Sequence, residues 1–357
     1  MIGPKPLPSI LDIVPYKGGE PSKTGWKLSS NENPLGASDK AKSAIAAASQ
    51  SLERYPDGSA TALRRAIGAK YGLDPERLII GAGSDEIFQL LGRAYLRQGD
   101  EIIQSAHGFL VYRLIAQQSG AITKSAPETN YTANVDAILS EVTDKTRIVF
   151  LANPNNPTGT YLPYSEIERL HARLRSDIML VLDGAYAEYV TTPDYQDGAK
   201  LAETASNVLM TRTFSKIHGL AALRLGWAYG PAPIIDVLNR VRGPFNVNAL
   251  ALAAGLAALE DDAFMAQSIA HNTKELARMQ AGLDALGFTY VPSVGNFLLV
   301  IFTDEAEKRA MDRHLRSRDI VVRDMTAYGL PACLRISLGT EAANSDVLAA
   351  FKCFARA

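Results

Sequence analysis

Arg77-Leu-Ile-Ile-Gly81-Ala-Gly-Ser-Asp85-Glu86 opens as an apolar run, breaks at a glycine turn, and leads into Ile87, Leu90, Leu91, Ala94 and Tyr95 at helical spacing. The change from a short apolar run to a 3.6-residue period reads as a strand, a tight turn and a helix that begins near Ser84. A helix starting there turns free N–H groups and the positive end of its dipole toward the turn, which makes it an anion site. The same unit recurs outward along the chain. Between about residues 60 and 245, short apolar runs alternate with helical patterns, at Glu101 to Gln104, Arg147 to Ala152, Ile178 to Asp183, Val208 to Thr211 and Leu225 to Tyr229. That alternation predicts an α/β domain built on a mostly parallel sheet.

Beyond Asn246 the pattern changes to a long Ala- and Leu-rich helical region through Leu286. Short strands follow near Asn296 to Phe302, Ile320 to Arg323 and Leu334 to Leu338, with helices between and after, which reads as a smaller α+β domain. With 357 residues and 47% hydrophobic content, the chain exceeds the size at which one core stops growing. The expected division is an N-terminal arm over 1–45, a large α/β domain over 46–245 and a small C-terminal α+β domain over 246–357. The arm holds Pro4, Pro6, Pro8 and Pro15 and is too short to fold by itself, so it should pack on the small domain or on another subunit. It lacks the continuous apolar run of a signal peptide or a membrane span.

Charge narrows the function classes. Lys plus Arg (37) nearly balances Asp plus Glu (38), and the basic residues are scattered, which argues against nucleic-acid or membrane-surface binding. Small polar or anionic metabolites remain as partners. The two cysteines, Cys333 and Cys353, have neither CxxC nor Cys/His spacing, so no disulfide framework and no metal site is indicated. A reducing, cytoplasmic location is expected.

Chemistry gathers where the expected strands end, which is where open α/β sheets bind ligands. Met210-Thr-Arg-Thr213-Phe-Ser215-Lys216, followed by Arg224, delivers a lysine beside two hydroxyls and a guanidinium. A lysine condenses with an aldehyde only as the neutral amine, and burial with nearby cations lowers its pKa toward that state. Thr213, Ser215 and Arg224, with the helix start at Ser84-Asp85, suit a phosphate dianion. Val181-Leu-Asp183-Gly-Ala-Tyr186 ends a strand in a carboxylate, which is either a helix cap or the partner of a pyridine nitrogen. Asn156, in Asn153-Pro-Asn-Asn-Pro-Thr-Gly159, and Tyr186 would then meet the ring's phenolate oxygen. Phe109 either stacks on the ring or fills the core, and His107 reads as a structural hydrogen bonder. Together these residues describe a pyridoxal-phosphate site.

Assembled in this order, the chain resembles the fold-type I pyridoxal-phosphate aminotransferases, and among them the histidinol-phosphate aminotransferases. The resemblance runs nearly end to end. It rests on the motifs above together with Ser30-Asn-Glu-Asn33-Pro-Leu-Gly36, Arg54-Tyr55-Pro-Asp-Gly58, Gly219-Leu-Ala-Ala-Leu-Arg224-Leu-Gly, Pro244-Phe-Asn-Val-Asn248, Asn296-Phe-Leu-Leu and Leu334-Arg335-Ile-Ser-Leu-Gly-Thr340. The resemblance implies Lys216 as the cofactor lysine and general base, with Asp183 and Tyr186 beside it. It also implies a homodimer in which Tyr55 reaches the cofactor phosphate of the neighbouring subunit. Arg335 would clamp the carboxylate of glutamate or 2-oxoglutarate, and Asn33 belongs to the substrate side.

Two departures stand out. Position 184 is Gly where the family usually has Glu or Ala. Some members also carry an arginine for the substrate phosphate shortly after the Gly-Thr, where this chain reads Glu341-Ala-Ala-Asn344-Ser-Asp346. Arg323 and Tyr16 are then the phosphate candidates, with a surface ion pair as the other reading of Arg323. The implied reaction is transamination between L-histidinol phosphate and 2-oxoglutarate, in histidine biosynthesis. An aromatic amino-acid aminotransferase is the alternative.

Overall fold

The computed structural model describes residues 3–15 and 24–356. Seven strands form the main sheet, in the spatial order Leu78–Gly81, Gly226–Tyr229, Val208–Thr213, Met179–Asp183, Thr146–Ala152, Glu101–Ser105 and Ile122–Ala126. All run parallel except Gly226–Tyr229, which is antiparallel to both neighbours. Apart from the edge strand Ile122–Ala126, the strands are buried on both faces and read as near-continuous apolar runs.

Alternate residues of those strands feed two cores. Ile80, Ile103, Val149, Leu151, Leu180 and Met210 face one side, where the helices Thr61–Tyr71, Tyr164–Arg173 and Ala249–Leu259 bring Leu63, Ile67, Ile167, Leu170 and Ala254 against them. Ile79, Ile102, Ile148, Phe150, Val181 and Leu209 face the other, beneath Ser84–Tyr95, Leu110–Gln118 and Ala232–Val241. The helix Ala249–Leu259 lies C-terminal to residue 245, yet its buried face belongs to the core of the large sheet.

Each sequence-read strand of the main sheet is present within a residue or two of its expected limits. The edge strand Ile122–Ala126 escaped the reading because Thr123, Lys124 and Ser125 interrupt any apolar run. Polar and charged residues of this kind are what an outermost strand tolerates and uses against edge pairing. The long helical region resolves into Ala249–Leu259 and Asp262–Ala285, separated at Asp261, whose carboxylate accepts from the Phe264 amide.

A second sheet has the order Trp26–Leu28, Ile320–Asp324, Cys333–Ser337, Phe297–Ile301 and Thr289–Val291. Its first strand comes from the N-terminal segment and pairs parallel with Ile320–Asp324. Leu28, Leu298, Val300, Val322, Leu334 and Ile336 form its core with Met279, Met311 and Phe351. Pairing Trp26–Leu28 here brings residues 29–33 across to the carboxyl ends of the main sheet. Among the described residues, no helix is long and apolar enough to cross a membrane.

Candidate active site

The carboxyl ends of the parallel strands converge on a cavity of about 290 Å³. Ser84 and Asp85 follow Leu78–Gly81, Phe109 follows Glu101–Ser105, and Asn156 follows Thr146–Ala152. Asp183 ends its strand with Tyr186 just beyond, and Thr213, Ser215 and Lys216 close Val208–Thr213. Arg224 enters from the turn before Gly226–Tyr229, and Ser30 and Glu32 complete the wall from the N-terminal segment.

Lys216 Nζ donates to the Ser30 carbonyl at 2.9 Å and lies 5.7 Å from the centre of the Tyr186 ring. Burial, and then the charge of Arg335, push its amine down to about 8. Asp183 is fully enclosed. Burial pushes its carboxyl up to about 6, against hydrogen bonds from Tyr112 Oη at 2.6 Å, Thr211 Oγ1 at 3.3 Å and the Ala185 amide at 3.2 Å. The Tyr186 hydroxyl accepts from Asn31 Nδ2 at 2.9 Å, and burial raises its pKa to about 12.

The opposite end of the cavity is built for an anion. Ser84 begins a 12-residue helix, so its first amides and the positive dipole end face inward. Arg224 adopts a left-handed backbone (φ 53°), and its guanidinium donates to Ser215 Oγ at 3.1 Å and reaches Asp85 at 3.4 Å. Gly83 is required beside it: φ is +79°, and a Cβ there would lie 2.3 Å from Arg224 Nη2. The turn is held from behind by Glu86, whose carboxylate accepts from the Ala82 amide at 2.5 Å and from Asn246 Nδ2 at 2.7 Å.

Arg335 lies behind Asn156. It donates to Asn156 Oδ1 and to the Ser29 carbonyl, and its guanidinium sits 5.4 Å over the Phe297 ring. Arg323 is its direct cross-strand partner, which puts both side chains on one face of the second sheet. Arg323 does not line the cavity, and its neighbour Asp324 is paired with the buried Lys308.

Two more expected site residues, Asn33 and Tyr55, also lie outside the cavity. Asn33 is buried away from the cavity: its amide donates to the Ile217 carbonyl at 2.7 Å and to Ser268 at 3.0 Å, and its oxygen accepts from the Leu35 amide. It holds the segment after Lys216 in place. The reason is Asn31, whose φ of +55° breaks the strand alternation, so Asn31 turns to Tyr186 while Asn33 turns away. Tyr55 is 82% exposed and stacks on Phe245 at 4.7 Å, outside the cavity. Tyr16 lies outside the described residues.

The structure adds Asn31, Tyr112 and Glu32, which the sequence reading did not single out. Tyr112 carries the signature of a helix core residue, and nothing local tells its hydroxyl from an idle one. His107 Nδ1 lies 3.2 Å from Glu128 Oε2 and does not line the cavity. At Gly184 a Cβ would stand 3.2 Å from Arg212 Cδ and 3.3 Å from the Thr211 carbonyl, so the small residue fits a crowded turn. The stretch 341–346 is closed by structural bonds, with Asn344 bonded to Glu275 and Gly339, and Asp346 to the Trp26 indole.

Residues 23–351 match the family described as aminotransferase class I and II. The chain is 52% identical over 359 residues to a histidinol-phosphate aminotransferase of Maricaulis maris, covering 99% of each. It is 53% identical over 360 residues to that of Paramagnetospirillum magneticum, again covering 99% of each. The crystal structure of the Sinorhizobium meliloti histidinol-phosphate aminotransferase, in complex with pyridoxal-5'-phosphate, superposes with a TM-score of 0.92 at 25% identity, over 98% of this chain and 97% of that one. The chain is thus an enzyme of the class I and II aminotransferase family, and it belongs among the histidinol-phosphate aminotransferases.

Proposed function

We propose that the protein transfers an amino group between L-histidinol phosphate and 2-oxoglutarate with pyridoxal phosphate, giving imidazole acetol phosphate and L-glutamate in histidine biosynthesis. The observation that carries this is the pairing, in one cavity, of an amine brought toward neutrality at Lys216 with the enclosed carboxylate of Asp183. The residues present fit the cofactor. An enclosed carboxylate calls for a cationic partner, which a protonated ring nitrogen provides. The helix start at Ser84 with Thr213, Ser215 and Arg224 forms a cradle for a dianion.

Bound pyridoxal phosphate supplies an aldehyde and an electron-withdrawing ring. The protein's part is binding and proton handling. Asp183 would hold a proton on the ring nitrogen, Asn156 and Tyr186 would hydrogen-bond the phenolate oxygen, and Phe109 would cover the ring. Asp85 sits at the phosphate end, where its charge is offset by Arg224. Lys216 would be the general base that takes the proton from the substrate carbon. Arg335 supplies a planar fork for the carboxylate of glutamate, and Arg323 beside it, with Tyr16, serves the substrate phosphate.

The active unit is a homodimer in the cytoplasm, with Tyr55 contributed across the interface to the neighbour's cofactor phosphate. The exposed Leu52, Tyr55 and Phe245 support that reading, since they leave an apolar patch uncovered on the single chain. Rapid mixing of the cofactor-loaded protein with L-histidinol phosphate and with L-phenylalanine tests the assignment. A fast, saturating absorbance change with histidinol phosphate alone is expected; preference for phenylalanine would overturn it in favour of an aromatic aminotransferase.

A further inference from the structure

Asp183 has to be ionised to hold a proton on a ring nitrogen, yet it sits where burial favours the neutral acid. The groups around it are named by element. Tyr112 comes from the helix Leu110–Gln118, Thr211 from the neighbouring strand, and the Ala185 amide from its own turn, all as donors. Asp85, from the helix Ser84–Tyr95, adds a destabilising negative charge, and the phenols of Tyr186 and Tyr195 also lie within its field. Tyr112 makes the shortest of the three bonds. Its hydroxyl has no competing solvent, because the ring is wholly buried, stacked on Phe150 at 4.6 Å and edge-on to Phe88 and Phe109 at 5.2 and 5.7 Å. Burial and the facing carboxylate hold the phenol well above its ordinary range, so it stays a donor at every working pH.

We propose that Tyr112 is a positioning residue for the amino-transfer reaction: its hydroxyl, clamped in an aromatic stack, keeps the Asp183 carboxylate ionised and aimed at the ring nitrogen. The inference rests on the reading of Asp183 as the ring-nitrogen partner. The stack also ties Phe109, which faces the cavity, to the ring that grips Asp183. One rigid aromatic block thereby sets both the face and the edge of the cofactor site.

The experiment compares the wild-type chain with Tyr112→Phe, Thr211→Val, Asp183→Asn and Phe150→Leu. Each cofactor-free protein is titrated with pyridoxal phosphate from pH 5 to 9, and the Asp183 carboxyl is followed by carbon-13 NMR. Tyr112→Phe keeps the ring, so the packing survives. It is expected to move the Asp183 titration up by about one pH unit and to weaken cofactor affinity about tenfold near pH 7. The fall in affinity at low pH should begin at correspondingly higher pH. Thr211→Val, a fallback should Tyr112→Phe fold poorly, should shift the titration in the same direction by less. Phe150→Leu removes the ring stacked on Tyr112 and keeps its hydroxyl, so it should move the titration up by less than Tyr112→Phe does. Wild-type titration and affinity in Tyr112→Phe, with Asp183→Asn clearly weakened, would overturn the role of Tyr112 alone. Wild-type affinity in Asp183→Asn would overturn the ring-nitrogen assignment and the proposal with it.

Discussion

Lys216 and Ser30 meet across the sheet, with the lysine Nζ donating to the Ser30 carbonyl at 2.9 Å. The bond joins the end of a main-sheet strand to the segment that follows Trp26–Leu28 of the second sheet. The Lys216 amine is therefore oriented by the junction between the two sheets. Its electrostatics are set there as well, because Arg335 of the second sheet lowers the amine pKa and Glu32 of the N-terminal segment raises it.

That environment makes the amine titrate near pH 8 in the cofactor-free protein. A lowered pKa means that the neutral, reactive form prevails above pH 8 and is lost below it. Acylation of Lys216, followed by mass spectrometry against pH, should show its half-maximal rate there. Arg335→Gln should move the midpoint up, and Glu32→Gln should move it down. A midpoint near that of an exposed lysine would contradict the burial argument. Lys216→Ala should reduce steady-state transamination by about 10⁴-fold or more, and retained turnover without added amine would refute the assignment.

Asp183 yields a stability prediction of the opposite kind from that of a salt-bridged acid. Its folded carboxyl titrates near 6, above the ordinary value of 3.8. The folded cofactor-free chain therefore binds more protons than the unfolded chain between those values. Its stability from this group is present at the acid end of the window and is lost as pH rises through 6. Asp183→Asn, which retains an acceptor for Tyr112, should stabilise the cofactor-free protein by about 2 to 3 kcal/mol at pH 8. Denaturant melts at pH 5 and pH 8 measure this, and equal effects at both would rule it out.

Gly83 leaves no room for a side chain beside Arg224. Gly83→Ala should strain the left-handed turn by about 1 to 2 kcal/mol and displace the guanidinium from Ser215. Cofactor affinity should fall by at least about tenfold, read by equilibrium titration. Gly99 also has a positive φ, but a Cβ there meets nothing within 4 Å. Gly99→Ala, the control, should cost stability and leave affinity unchanged.

The two facing arginines should separate by substrate. Arg335→Gln removes the planar fork and the partner of Asn156, so kcat/KM should drop about 10²-fold for glutamate and for histidinol phosphate alike. Arg323→Gln should fall only on histidinol phosphate. Equal losses with both substrates for Arg323→Gln would assign it a structural role.

Tyr55 is exposed on the single chain, so Tyr55→Phe should leave stability within about 0.5 kcal/mol. If its hydroxyl serves the neighbouring cofactor, affinity for pyridoxal phosphate should still fall by about tenfold. Phe245→Ala removes the stacked partner and should weaken self-association in sedimentation equilibrium. An unchanged affinity in Tyr55→Phe would remove this residue from the site.

Local chemistry determined much of this protein by itself. The alternation of apolar runs with helical periods was enough for the main sheet, because strands buried on both faces are apolar throughout and their turns carry glycine, asparagine and aspartate at the carboxyl ends. The same ends carried Ser84, Asn156, Asp183, Tyr186, Ser215 and Lys216, so much of the cavity's lining was legible in the sequence. The tertiary structure alone decided what depends on distant contacts or on one backbone dihedral. The left-handed turn at Asn31 sends Asn31 to Tyr186 and Asn33 to Ile217, a choice that no spacing rule contains. Tyr112 has the period of an ordinary core residue, and only the approach of its helix to the strand end reveals the bond to Asp183. The polar edge strand Ile122–Ala126 has no apolar pattern to read, since it exists through pairing with Glu101–Ser105. Periodicity records which face of an element is buried; the partner that covers that face is set by the packing of elements far apart in the chain.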